Sequence, residues 1–128
     1  MENVSIYIRE SNHLNAQEII RRQEEKVTEY CKSKKYFVCD SAVVIGDREE
    51  TFPALLDLLE GAKEKEITKI VMTSTNRVVG EIEDIKRVAE AFKASDVTLE
   101  TIDGSDLVTE EPNLVPYFLN SVENEEEE

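Results

Sequence analysis

A three-layer α/β/α fold, with a mainly parallel sheet of four or five strands and a C-terminal association helix, is predicted by three observations. Apolar residues alternate in short stretches such as Val4, Ile6 and Ile8, which is the period of a strand. Between such stretches the inward positions recur every three or four residues, as in Ala16, Ile20, Gln23, Val27 and Cys31, which is the period of a helix. The two patterns follow one another in turn, and that order calls for right-handed crossovers and helices on both faces of the sheet.

Taken in order, residues 4–8 are the first strand and residues 15–33 the first helix, with Arg21, Glu24, Glu25 and Lys32 between its inward positions. Residues 36–45 are β-branched and aromatic and form the second strand, followed by the polar loop Gly46-Asp47-Arg48-Glu49-Glu50. Thr51 is placed as the N-cap of the second helix, with Pro53 in its first turn. Leu55, Leu58, Leu59 and Ala62 form its inner face, and it stops near Lys65. Residues 69–73 have the continuous apolar centre of a strand buried on both faces. Residues 81–94 are the third helix, with Ile82, Ile85, Ala89 and Phe92 inward, and residues 97–102 the fourth strand. Leu114, Val115, Phe118, Leu119 and Val122 again have helical spacing, with little sheet left to cover, so this last helix is assigned to self-association, with packing on its own domain as the alternative. The domain reading is thus 1–112 for the α/β unit and 113–128 for the start of a helix with an acidic tail.

A chain of 128 residues can bury a core without disulfides or metals. Its 29 acidic and 15 basic residues leave −14, a charge that repels nucleic acid over most of the surface, so any DNA contact is local or supplied by a partner. Cys31 and Cys39 have no metal-ligand spacing around them and read as buried free thiols of a reducing cytoplasm. Neither a membrane span nor a leader is expected, and nothing calls for a metal or another cofactor.

Candidate chemistry sits at strand ends. Arg9 and Ser11 follow the first strand, where open α/β sheets place their ligand crevice. A guanidinium grips phosphate oxygens through a planar fork, so an Arg beside a Ser points to phosphoryl chemistry before acyl transfer. Arg77 follows the third strand in Ser74-Thr75-Asn76-Arg77. Each has a plainer reading: Ser11 as a helix N-cap, Arg9 as a surface ion-pair partner, and Arg77 as a turn-closing residue. His13, the single histidine, reads as an exposed loop residue.

Several segments in order resemble the catalytic domain of the serine recombinases, the resolvase and invertase family. They are Tyr7-x-Arg9-x-Ser11, then Arg22-Gln23-Glu24-Glu25-Lys26, then Phe52-Pro53-Ala54-Leu55 with Leu58, Leu59, Ala62 and Lys63, then Ile70-Val71-Met72 leading to Asn76-Arg77. Residues 114–126 look like the start of the family's long helix, which carries dimer and tetramer contacts. The resemblance implies DNA as the partner, homo-oligomers built through that helix, and strand exchange without a metal. Ser11 would attack a phosphodiester to give a 5′-phosphoserine link and a free 3′-hydroxyl. Arg9 would hold the scissile phosphate and Arg77 would be a second clamp.

Departures accompany the matches. Phe52 stands where the family usually has a catalytic arginine, and Arg48 lies four residues too early to replace it in register. Asn76 replaces the usual aspartate, and Val79 and Gly80 stand where a further arginine is expected. The family's basic DNA-binding region has no counterpart in these 128 residues. The sequence therefore supports a recombinase catalytic domain with weakened or lost activity first. A catalytically inactive recombinase-like interaction protein comes second, and an unrelated phosphate- or nucleotide-binding α/β module third.

Overall fold

The computed structural model describes residues 1–78 and 81–107; the Arg48 side chain and residues 108–128, with the expected association helix, lie outside the described residues. The elements are β1 (Asn3–Glu10), α1 (Ala16–Lys34), β2 (Phe37–Ile45), α2 (Arg48–Ala62), β3 (Lys69–Met72), a 3-10 turn (Thr75–Arg77), α3 (Ile82–Ser95) and β4 (Thr98–Thr101). Among the described residues the four strands are parallel, in the order β2-β1-β3-β4. Among the described residues no helix is long and apolar enough to cross a membrane.

The alternation read in β1 sorts its side chains between two cores. Val4, Ile6 and Ile8 join Ile20, Val27 and Cys31 of α1 and Val71 of β3 on one face. Tyr7 joins Val44, Ile70 and Met72 with Leu55, Leu58, Leu59 and Ala62 of α2 and Val88 and Phe92 of α3 on the other. All five inward positions predicted for α1 are buried. Coverage stops short of β2, where Phe37, Val38, Val43 and Ile45 remain exposed.

Several expectations need correction. Thr51 does not cap α2: the helix begins four residues earlier, and Asp47 and Glu50 close a reciprocal capping box at its start. Thr51 is buried inside the helix, its hydroxyl donating back to the Asp47 carbonyl at 2.7 Å. Pro53 consequently lies in the second turn, and the helix ends at Ala62 rather than near Lys65. In α3 the buried positions are Asp84, Val88 and Phe92, while Ile82, Ile85 and Ala89 are only partly covered. Cys31 is a buried free thiol, pushed up by burial, whereas Cys39 is half-buried.

Ser5 is fully buried in β1, and its hydroxyl has no hydrogen-bond partner among the described residues. An unpaired buried hydroxyl costs about 1–3 kcal/mol. Ser5→Ala is therefore expected to raise stability by roughly 1 kcal/mol, read as a higher denaturation midpoint; a lower midpoint would reveal a partner for that hydroxyl.

A polar knot ties α1 to β3 and β4. Glu100 accepts from Tyr30 Oη at 2.6 Å, Tyr36 Oη at 2.9 Å and Lys69 Nζ at 2.8 Å. Burial and the neighbouring Glu100 push Tyr30 up to about 12. Burial also pushes Glu100 up, but its three donors together outweigh it and leave the carboxyl below its ordinary value. A carboxyl depressed in the folded state contributes stability that is present above its unfolded pKa of about 4.3 and lost as pH falls through the lower folded value. Denaturation midpoints between about pH 5 and pH 3 are expected to fall less steeply in Glu100→Gln than in the parent; equal slopes would exclude this group.

Candidate active site

The strand order reverses direction between β1 and β3: the chain moves outward from β1 to β2, then returns across the sheet to β3. Carboxyl ends flanking such a reversal leave a crevice, because their connections leave in opposite directions. Arg9 and Ser11 stand at one side of it and Arg77 at the other.

Arg9 is held from four directions. Its backbone N–H donates to Gln23 Oε1 at 3.3 Å, and its carbonyl accepts from Gln23 Nε2 at 3.0 Å. The buried amide of Gln23 thus fastens the end of β1 to α1. The Arg9 side chain reaches toward β2, where Nε donates to the Gly46 carbonyl at 2.8 Å and Nη2 to Asp47 Oδ1 at 3.2 Å. The same Nη2 lies 3.4 Å from Ser11 Oγ. Gly46 has φ +157°, and a Cβ there would meet the Glu50 side chain at 2.7 Å, so the turn presenting this carbonyl requires glycine.

Arg77 closes the other side. Nε donates to Thr73 Oγ1 at 3.1 Å, Nη1 to the Arg9 carbonyl at 3.5 Å, and Nη1 lies 3.8 Å from Glu10 Oε1. Burial pushes Arg77 below its ordinary value; Glu10 opposes this and Arg9 adds to it. A groove of about 390 Å³ opens beside it, lined by Arg22, Gln23, Lys26, Thr73 and Arg77 among others.

The structure thus brings Arg9, Ser11 and Arg77 into one cluster. Ser11 caps no helix, since α1 starts at Ala16 with Asn15 in the cap position. Arg9 does pair with a carboxylate, but its own side chain is only 7% exposed, so it is no surface ion pair. His13 is exposed: its Nδ1 accepts from the Asn15 N–H, and its Nε2 faces Glu10. Phe52 packs against the core on the α2 side of the sheet, and Asn76 is exposed in the 3-10 turn. Sequence reading did not single out Glu10, Gly46, Asp47 or Thr73. One signal for Asp47 was present, since an aspartate three residues before a glutamate at the head of a helical pattern is the mark of a capping box.

A resolvase family recombinase from Streptococcus pneumoniae superposes with TM-score 0.69 and 15% identity, over 99% of this chain and 89% of that one. The N-terminal catalytic domain of TP901-1 integrase does so with TM-score 0.64 and 18% identity, over 98% and 96%. The C-terminal catalytic domain of an IS607-like serine recombinase gives TM-score 0.65 and 21% identity, over 78% and 68%. At these identities the structures speak for a shared fold. No curated protein matches the chain. The family model described as "Resolvase, N terminal domain" matches residues 4–128, and with nearly the whole chain inside that match, the protein belongs to the resolvase family of serine recombinase domains.

Proposed function

We propose that this chain is the strand-cleaving module of a site-specific DNA recombinase, with Ser11 as nucleophile and an activity weakened by its incomplete arginine set. The observation that carries the reading is the convergence of Arg9 Nη2 on Ser11 Oγ, with Arg77 packed against the Arg9 main chain. In the reaction Ser11 Oγ bonds to the phosphorus, the bond from phosphorus to the 3′-oxygen breaks, and the serine proton is balanced by protonation of that leaving oxygen. Arg9 and Arg77 would neutralise charge gathering on the non-bridging oxygens. Phe52, partly buried against the core, stands where the family resemblance places a further guanidinium, and each lost donor of this kind lowers the rate by about 10²–10³.

DNA is the proposed partner, found through a DNA-binding region that is either missing from these residues or supplied by a partner, and a second copy is proposed to associate through residues 113–128. The same position of Phe52 favours, as a second reading, a recombinase-like protein that has kept the fold for association alone. The test fuses this chain to a sequence-specific DNA-binding domain, supplies nicked target DNA, and looks for a covalent complex. A slow adduct that needs Ser11 supports the proposal; no adduct, while a family member with the full arginine set forms one in the same fusion, selects the second reading.

A further inference from the structure

We propose that Asp47 is a resident anion in the phosphate seat of Arg9, so that a phosphodiester reaches Ser11 by exchanging with it. This rests on the reading of Arg9, Ser11 and Arg77 as a phosphate site. Both guanidiniums already face a carboxylate of the chain: Asp47 Oδ1 lies 3.2 Å from Arg9 Nη2, and Glu10 Oε1 lies 3.8 Å from Arg77 Nη1. Those four groups sum to zero charge.

The two carboxylates differ in freedom. Glu10 is 15% exposed at its side chain, accepts the Ser11 N–H at 3.0 Å and faces His13, so it is built into the turn. The Asp47 side chain is 79% exposed against 7% for Arg9. Because the incoming phosphate supplies a replacement anion for the buried guanidinium, Asp47 can turn into solvent without leaving Arg9 unpaired, at the cost of its side chain's place in the capping box. Its position is what matters, because Nη2 carries both the Asp47 contact and the Ser11 contact. An anion on Nη2 therefore sits beside the nucleophile. While Asp47 is there, a phosphate oxygen meets an occupied donor and a like charge; once Asp47 turns out, the same donor is free to take it.

Asp47 has a second duty that the test must keep intact. It belongs to the capping box of α2, its backbone N–H donating to Glu50 Oε2 at 2.9 Å. Asparagine and serine cap helices about as well as aspartate, without the charge.

The full chain is titrated with dimethyl phosphate, a monoanionic phosphodiester, and the backbone amide NMR signals of Ser11, Gly46 and Arg77 are followed. Asp47→Asn is expected to bind on the order of tenfold tighter than the parent, with Asp47→Ser alike, and the gain is expected to shrink as salt is raised. A role in capping alone gives unchanged or weaker binding. Equal affinity in the parent and both variants, with Arg77→Gln weakening all three, overturns the proposal and leaves the phosphate site standing. No movement of those amides in any of the proteins overturns the site reading, and the proposal with it.

Discussion

A Ser11→Ala chain, carried on a DNA-binding domain and given nicked target DNA, is expected to form no covalent protein–DNA complex. The expectation follows from valence: the hydroxyl is the atom that would bond to phosphorus, and alanine has nothing in its place. The loss is not expected to come from unfolding. Among the described residues the Ser11 hydroxyl takes part in one long contact, 3.4 Å from Arg9 Nη2, whereas Arg9 itself is held by Gln23 and Gly46, which the substitution leaves alone. Thermal midpoints of parent and variant should therefore agree within a degree or two, since a surface change of about 0.5 kcal/mol moves a domain of this size only that far. The parent adduct is expected to form at least about 10² times more slowly than that of a relative with the full arginine set. An adduct that survives Ser11→Ala would assign the nucleophile to another residue.

Leu55→Ala is expected to destabilise the fold by about 2–5 kcal/mol, against no more than about 0.5 kcal/mol for Leu56→Ala in the same turn. Leu55 is fully buried among Leu58, Leu59, Ile70 and Met72, on the face of α2 that meets the sheet. Truncation there removes apolar area and leaves a cavity that its neighbours on α2 and β3 cannot fully fill. Leu56 is 39% exposed, so its truncation leaves little cavity. A domain's total stability is about 5–15 kcal/mol, so the first substitution should lower the denaturant midpoint markedly with little change in slope. Similar losses at both positions would mean that the α2 core is not closely packed.

Periodicity made the scaffold legible because burial on a regular element repeats. Ala16, Ile20, Gln23, Val27 and Cys31 could be placed on the inner face of α1 from spacing alone, and all five are buried. Leu55, Leu58, Leu59 and Ala62 behaved likewise in α2. The start of α2 was misplaced because Thr51 before Pro53 is a good local cap signal, and the competing Asp47–Glu50 box lay in a stretch read as loop. In α3 the inner face was read as Ile82, Ile85, Ala89 and Phe92, of which Phe92 alone is buried, beside Asp84 and Val88.

For the candidate site, order along the chain determined Arg9, Ser11 and Arg77, because strand ends in an alternating α/β chain gather at one edge of the sheet. What spacing could not contain is who faces whom across that edge. The approach of Gly46 and Asp47 to Arg9 depends on β2 lying beside β1, in register from Ser5↔Asp40 to Glu10↔Ile45 after the shift that follows Val4. Arg77 reaches the Arg9 carbonyl because β3 flanks β1 on its other side. The sequence by itself determined the layers, the order of the elements and the edge at which the candidate site lies, since these follow from local period and chain connectivity. The tertiary structure alone decided that Arg9 meets the carboxylate of Asp47 and Arg77 that of Glu10, because charge partners many residues apart are chosen by strand neighbours and side-chain reach.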